Sequence, residues 1–225
     1  MRQKYAVFLV TLFSLAHLEG CTTLRQSSGI EPEYNAQGSR LLGDAAALGA
    51  QLDAQQRRDG VVEPAIQAIA QKLDLSRKEE VRLLDPGVTI FEPIYVKPER
   101  TWYFNVLALR GLKFENELAA AVAAAQVLSI LPSDLKVSWR MVNREMVKAL
   151  YRAGYDPRGV VVFWKNWGQA LRQSAAPRAQ DYVWGALSLD LEEEARLEIA
   201  KLPPLLNPVV RSPEFVKIGK RLQKL

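Results

Sequence analysis

Apolar residues recur at three- and four-residue intervals along most of the chain, with one interruption in the middle. Leu41, Ala45, Leu48 and Leu52 share one side of a first helix, and Ile66, Ile69, Ala70 and Leu73 share one side of a second. Both patterns predict amphipathic helices packed on a core. The texture then changes: "VRLLD", "VTIFEPIYV" and "WYFNVLALRG" are rich in β-branched and aromatic residues and are broken by "DPG" (Pro86, Gly87) and "KPER" (Pro98). These runs predict a small sheet. Pro93 has no N–H to donate, so its strand is expected at an edge or interrupted there. From Phe114 the helical spacing returns and predicts helices over 115–130, 139–153, 157–171, 191–201 and 213–222. Gly154 suits the C-terminal cap of one helix and Pro157 the first turn of the next, which makes "AGYDP" a helix–turn–helix joint. The fold class expected is α+β, mostly helical, with a small β-sheet.

With 225 residues, 48% of them hydrophobic, the chain suffices for one sizeable domain plus a tether. "MRQKYAVFLVTLFSLAHLEGC" has a basic start, an apolar stretch from Ala6 to Ala16 and a small residue before Cys21, as in a secretory signal. Leu18, Gly20 and Cys21 resemble a bacterial lipobox, although Glu19 is an unusual occupant. An ordinary signal peptide cut nearby and an uncleaved anchor are the alternatives. Cys21 is the only cysteine, so an intramolecular disulfide does not explain it, whereas lipidation does. The expected organisation is a lipoprotein signal peptide over 1–20, a lipid-anchored tether over 21–31 and a domain over 32–225. By resemblance to Gram-negative lipoproteins, Thr22 after the cysteine implies the outer membrane, with the domain facing the periplasm. The net charge of +5 is mild and the basic residues are interleaved with acids, so no nucleic-acid partner is expected.

Three stretches carry a wider resemblance. "ALRGLKFENELAAAVA", "LYRAGYDPRGVVVFWKNW" and "EIAKLPPLLNPVVRSPEF" look like, in order, the lead-in to the zinc helix, the segment after the third ligand and the C-terminal extension of gluzincin metallopeptidases. The group is that of HtpX, BepA and the CAAX prenyl-protein endopeptidases, and the likeness runs from about residue 45 to 223. It implies a metallopeptidase-like helical domain. In that family zinc is held by the histidines of HExxH, whose glutamate acts on the metal-bound water. The resemblance places Ala124 and Leu128 at the histidine positions and Ala125 at the glutamate. It places Met141 and Asn143 at the third ligand and at the aspartate two residues beyond it. None of these side chains ionises, so the chain is expected to be a degenerate member with no metal and no catalytic residue.

One observation independent of that alignment agrees: the only histidine is His17, inside the predicted signal. Histidine-based acid–base chemistry and Ser-His or Cys-His triads fall with it. "SDLK" at Ser133 to Lys136 lacks the partner motifs of S-x-x-K enzymes. Glu145 lies one turn beyond Met141 and reads as a solvated helix residue. Glu192, Glu193 and Glu194 are expected at a helix start, favoured by its dipole. A protein or peptide partner in the envelope is expected, with the membrane engaged through the lipid on Cys21. The candidate contacts are Trp102 and Phe104 on the strand "WYFNVLAL" and the pair Trp164 and Trp167, for which core packing is the alternative. The C-terminal stripe of Phe215, Ile218 and Leu222 either docks on a membrane or partner, or packs on the domain. The functional expectation is an inactive, binding, scaffolding or regulatory module. The alternative is a peptidase using an unrecognised metal site or partner-supplied groups.

Overall fold

The structure, a computed structural model, describes residues 34–35, 45–73, 79–85, 92–97, 101–131, 136–173 and 179–225, all within the compact unit Glu33–Leu225. The segment 1–20 with His17, Cys21 and the tether, Leu41, the turn residues Pro86, Gly87 and Pro98, and Ser133 lie outside the described residues.

The fold is α+β and mostly helical, with a four-stranded sheet of order β2 (Gln56–Arg57), β3 (Glu80–Leu84), β5 (Thr101–Asn105), β4 (Ile94–Val96). β3 and β5 run parallel, with Val81 opposite Trp102 and Leu83 opposite Phe104; the other two pairings are antiparallel. Side chains alternate across the sheet as a period of two requires. Val81, Leu83, Ile94, Val96, Trp102 and Phe104 enter the main core, whereas Tyr95 and Tyr103 turn to the other face and join Leu52 and Leu84. The helix α1 (Ala45–Ala54) carries Leu52 there, and its Asp53 accepts from the Tyr103 hydroxyl at 2.6 Å. As Pro93 implied, β4 begins just after it and is an edge strand. A separate two-residue ladder joins β1 (Tyr34–Asn35) to β6 (Lys136–Val137).

The helix α2 (Val62–Lys72) starts at a reciprocal cap. Asp59 Oδ1 accepts from the amides of Val61 and Val62 at 3.0 Å each, while Glu63 Oε1 accepts from the Asp59 amide at 2.8 Å. "WYFNVLALRG" is not one strand. It stops at Asn105, whose side chain accepts from the Leu107 amide and starts a short helix, α3 (Val106–Arg110). The helix wins because it buries Val106, Ala108 and Leu109 while the cap satisfies a free amide.

The helix α4 (Glu115–Ile130) is the centre of the molecule, packed by α2, α5 (Trp139–Arg152), α6 (Arg158–Arg172) and the edge strand β4. Ser138 caps α5 by accepting from the Met141 amide. Gly154, at φ +76°, closes the other end of α5, in the left-handed region glycine adopts without strain. Instead of starting at Leu191, the next helix, α7, spans Ala179–Ala200 and lies along α6. The three glutamates are therefore well inside it, and the dipole does not explain them. The last helix, α8 (Phe215–Leu222), buries Phe215 and Leu222 in the main core, with Ile218 packed against it. That stripe is consumed by the domain and is not free to enter a membrane.

Candidate functional site

The entry to α4 is a junction of buried polar groups. Glu115 Oε1 accepts from Lys72 Nζ and from the Tyr155 hydroxyl, each at 2.9 Å, and Oε2 accepts from the Ser212 amide at 3.0 Å. Burial pushes this carboxyl up, but the Ser212 amide, the Lys72 ammonium and the Tyr155 hydroxyl together outweigh it and hold the pKa below the usual glutamate value. Burial, then the Glu115 charge, pushes the Tyr155 phenol far up, so it remains a donor. Next along, the Asn116 amide donates to Val210 O, and Asn116 Nδ2 donates to Asp156 O at 3.1 Å. Glu117 accepts from the amides of Lys113 and Phe114, and burial still holds its pKa above the ordinary value. Tyr155 and Val209 form a parallel bridge, and the Val209 amide donates to Gly154 O at 2.8 Å. The three stretches quoted for the family resemblance thus meet at one place, where most of their polar groups satisfy one another and Asn116 Oδ1 is left buried without a hydrogen-bond partner.

Further along α4 the polar character vanishes. Every residue from Leu118 to Ala125 has 0% exposure and Leu128 has 2%, so the helix is buried on all sides rather than along one face. Ala124, Ala125 and Leu128 are covered within the described residues, and no open cleft lies above them. Opposite, on α5, Met141 is half-buried against the core. Asn143, with 0% exposure, uses both ends of its amide: Nδ2 donates to Leu191 O at 3.0 Å, and Oδ1 accepts from Trp164 Nε1 at 2.8 Å. Zinc, which the resemblance implies, does not fit these residues. Alanine and leucine offer no lone pair, and the Asn143 amide is already committed. Among the described residues no three His, Cys, Asp or Glu side chains converge as a metal site. Glu145 pairs with Lys148 at 2.7 Å on the surface, as expected of a solvated residue.

Sequence reasoning missed Glu194. It reaches Asn143 from α7, and burial raises its pKa although Arg140 and Arg144 oppose this. Its signal was in the spacing, since Glu194 lies three residues beyond Leu191 and next to Ala195, on the buried side of α7, where a helix-start reading of the three glutamates passed over it.

The four candidate partner contacts are corrected by their burial. Trp102, Phe104 and Trp164 have 0% exposure and Trp167 has 1%, so no partner reaches them. Trp164 packs edge-to-face on Trp139 at 5.4 Å and on Phe163 at 4.9 Å, and Trp139 packs likewise on Trp184 at 5.5 Å. Such pairs stabilise a core beyond their buried area. The strand carrying Trp102 and Phe104 is interior, bonded on both sides by β3 and β4, and has no edge to offer a peptide. Even the edge strand β4 is covered, since Ile94, Tyr95 and Val96 are at most 4% exposed.

No protein-family model matches the chain, and a search of curated proteins finds no match.

Proposed function

We propose that this chain is a pseudopeptidase of the bacterial cell envelope: a metallopeptidase-like domain without catalysis, held at the outer membrane by lipid on Cys21 and acting by binding another envelope protein. The observation that carries the non-catalytic part is the fate of the five aligned positions. Ala124, Ala125 and Leu128 are sealed inside the core, Met141 packs against it, and Asn143 is bound to Trp164 and Leu191. What supports the binding part is the outer side of α7, where Tyr182, Leu189 and Leu197 are 67%, 54% and 57% exposed. At 3.6 residues per turn these three lie within roughly 80° of arc.

Two measurements test this reading. Purified chain is expected to fold without bound zinc and to leave an unfolded protein substrate intact; about one tightly held zinc per chain with chelator-sensitive cleavage would sink it. A photo-crosslinker at Leu189 in intact cells is expected to capture one discrete envelope protein, and the same probe at Lys165 on α6 is not. Capture of nothing at Leu189 would remove the binding part.

A further inference from the structure

The helix α8 presents a second surface that its buried stripe does not use. Lys217, Lys220 and Lys224 are all exposed, and among the described residues none forms an ion pair. At 3.6 residues per turn Lys217 and Lys220 fall within roughly 60° of arc, opposite Phe215 and Leu222, and Lys224 follows in the turn that ends the helix. The exposed residues flanking them are Val216 and Gln223 on one side and Glu214 on the other, so the arc itself is basic and one acid stands at its edge. The acids at this end are mostly committed. Asp59 is bound to Arg221 at 2.7 Å and Glu63 to Arg58 at 2.9 Å, which leaves Glu214 exposed at the start of the helix. Helix-dipole compensation accounts for cations in the last turn, but Lys217 sits in the first, where the dipole disfavours it.

We infer that this lysine face docks on an anionic phospholipid surface. The choice of occupant follows from the kind of charge displayed. The helix's one arginine is bound to Asp59, so the lysine arc has none of the forked donors that read a single phosphate or carboxylate. It has instead three point charges on flexible stems with one small apolar neighbour, which suits a diffuse sheet of headgroup charge. The helix itself is fixed by its core contacts, so docking is electrostatic, without insertion of an apolar face. The inference goes beyond the proposed function and does not depend on the fate of Cys21.

The test is lysine labelling with an amine-reactive reagent, read by mass spectrometry, on the full chain mixed with vesicles of phosphatidylcholine alone or with about one third phosphatidylglycerol. Labelling of Lys217, Lys220 and Lys224 is expected to fall several-fold on the anionic vesicles only, and to recover at high salt, while exposed Lys165 is unchanged. Each lysine contributes about fivefold to the preference for anionic vesicles. The triple change K217Q/K220Q/K224Q, checked for native circular dichroism, therefore loses most of that preference. Equal labelling on both vesicles would overturn the inference even if the chain binds them through its N-terminus. Equal protection by soluble polyglutamate would also overturn it, in favour of an acidic polypeptide partner.

Discussion

Gly159→Ala is the sharpest test of how closely α6 meets the entry of α4. A Cβ on Gly159 would stand 2.2 Å from Asn116 O and 2.6 Å from Asn116 C, both backbone atoms that no rotamer change moves aside. Ordinary contact begins at 3.4 Å, so the helices must part by about 1.2 Å (3.4 − 2.2) or the first turn of α4 must distort. Either response strains the Asn116 contacts to Val210 O and Asp156 O. Overpacking of this kind costs about 1–3 kcal/mol, against a helix-propensity gain of at most about 1 kcal/mol for replacing glycine. The net expectation is a loss of about 1–2 kcal/mol, or about 2–8 °C in melting temperature for a domain of this size. Gly185→Ala in α7 is the matched control, because nothing lies within 4 Å of its Cβ. There the propensity gain stands alone, and a rise of about 0.5–1 kcal/mol is expected. Urea unfolding of both variants reads the difference directly. A Gly159→Ala protein as stable as its parent would refute the close crossing and the junction built on it.

Four other variants probe the same region. Glu115→Gln removes the charge that Lys72 and Tyr155 answer and is expected to cost about 2–3 kcal/mol at neutral pH by denaturant titration. Because the folded pKa of Glu115 is depressed, its contribution is complete above the unfolded value near 4.5 and fades as pH falls through the folded one, so the variant's deficit should shrink in acid. Asn143→Asp keeps an acceptor for Trp164 but takes the donor from Leu191 O and places a second carboxylate near Glu194; a loss of about 2–4 kcal/mol is expected in thermal unfolding. Phe215→Ala opens the core under α8 and should cost about 3–5 kcal/mol, and no loss would mean the helix is not packed there. Ala124→His with Leu128→His forces two imidazoles into sealed positions, with an expected loss of at least about 2 kcal/mol that added zinc does not restore in calorimetry.

The helical elements around α4 were legible because their signals are local. The acidic first turn of α4, Ser138 before α5, and Gly154 with Pro157 between α5 and α6 are short-range chemistry that tertiary packing did not override. The start of α7 was not legible, since "QDYVWGALSLD" places apolar residues on both sides: Trp184 and Leu187 face inward while Tyr182 and Leu189 face out. Periodicity sees an apolar run without a preferred side. The strand reading of "VLALR" failed because Asn105, a turn residue inside an apolar run, acted as a cap. For the candidate site, the absence of ionisable groups at Ala124, Ala125 and Leu128 was plain in the sequence. Their burial on every side, the pairing of Asn143 with Trp164 and the approach of Glu194 depend on contacts 21 to 51 residues apart, which no local pattern encodes.

The strap from Leu202 to Leu225 has a consequence for how the chain folds. It answers groups far upstream: Ser212 meets Glu115 across 97 residues, and Arg221 meets Asp59 across 162. Until these residues dock, the buried Glu115 lacks one donor and the core lacks Phe215 and Leu222. Contacts of such sequence separation slow folding and concentrate cooperativity at its final step. Closure of the domain therefore waits on this strap, and the interval before it docks is when the interior is most open to proteases and chaperones.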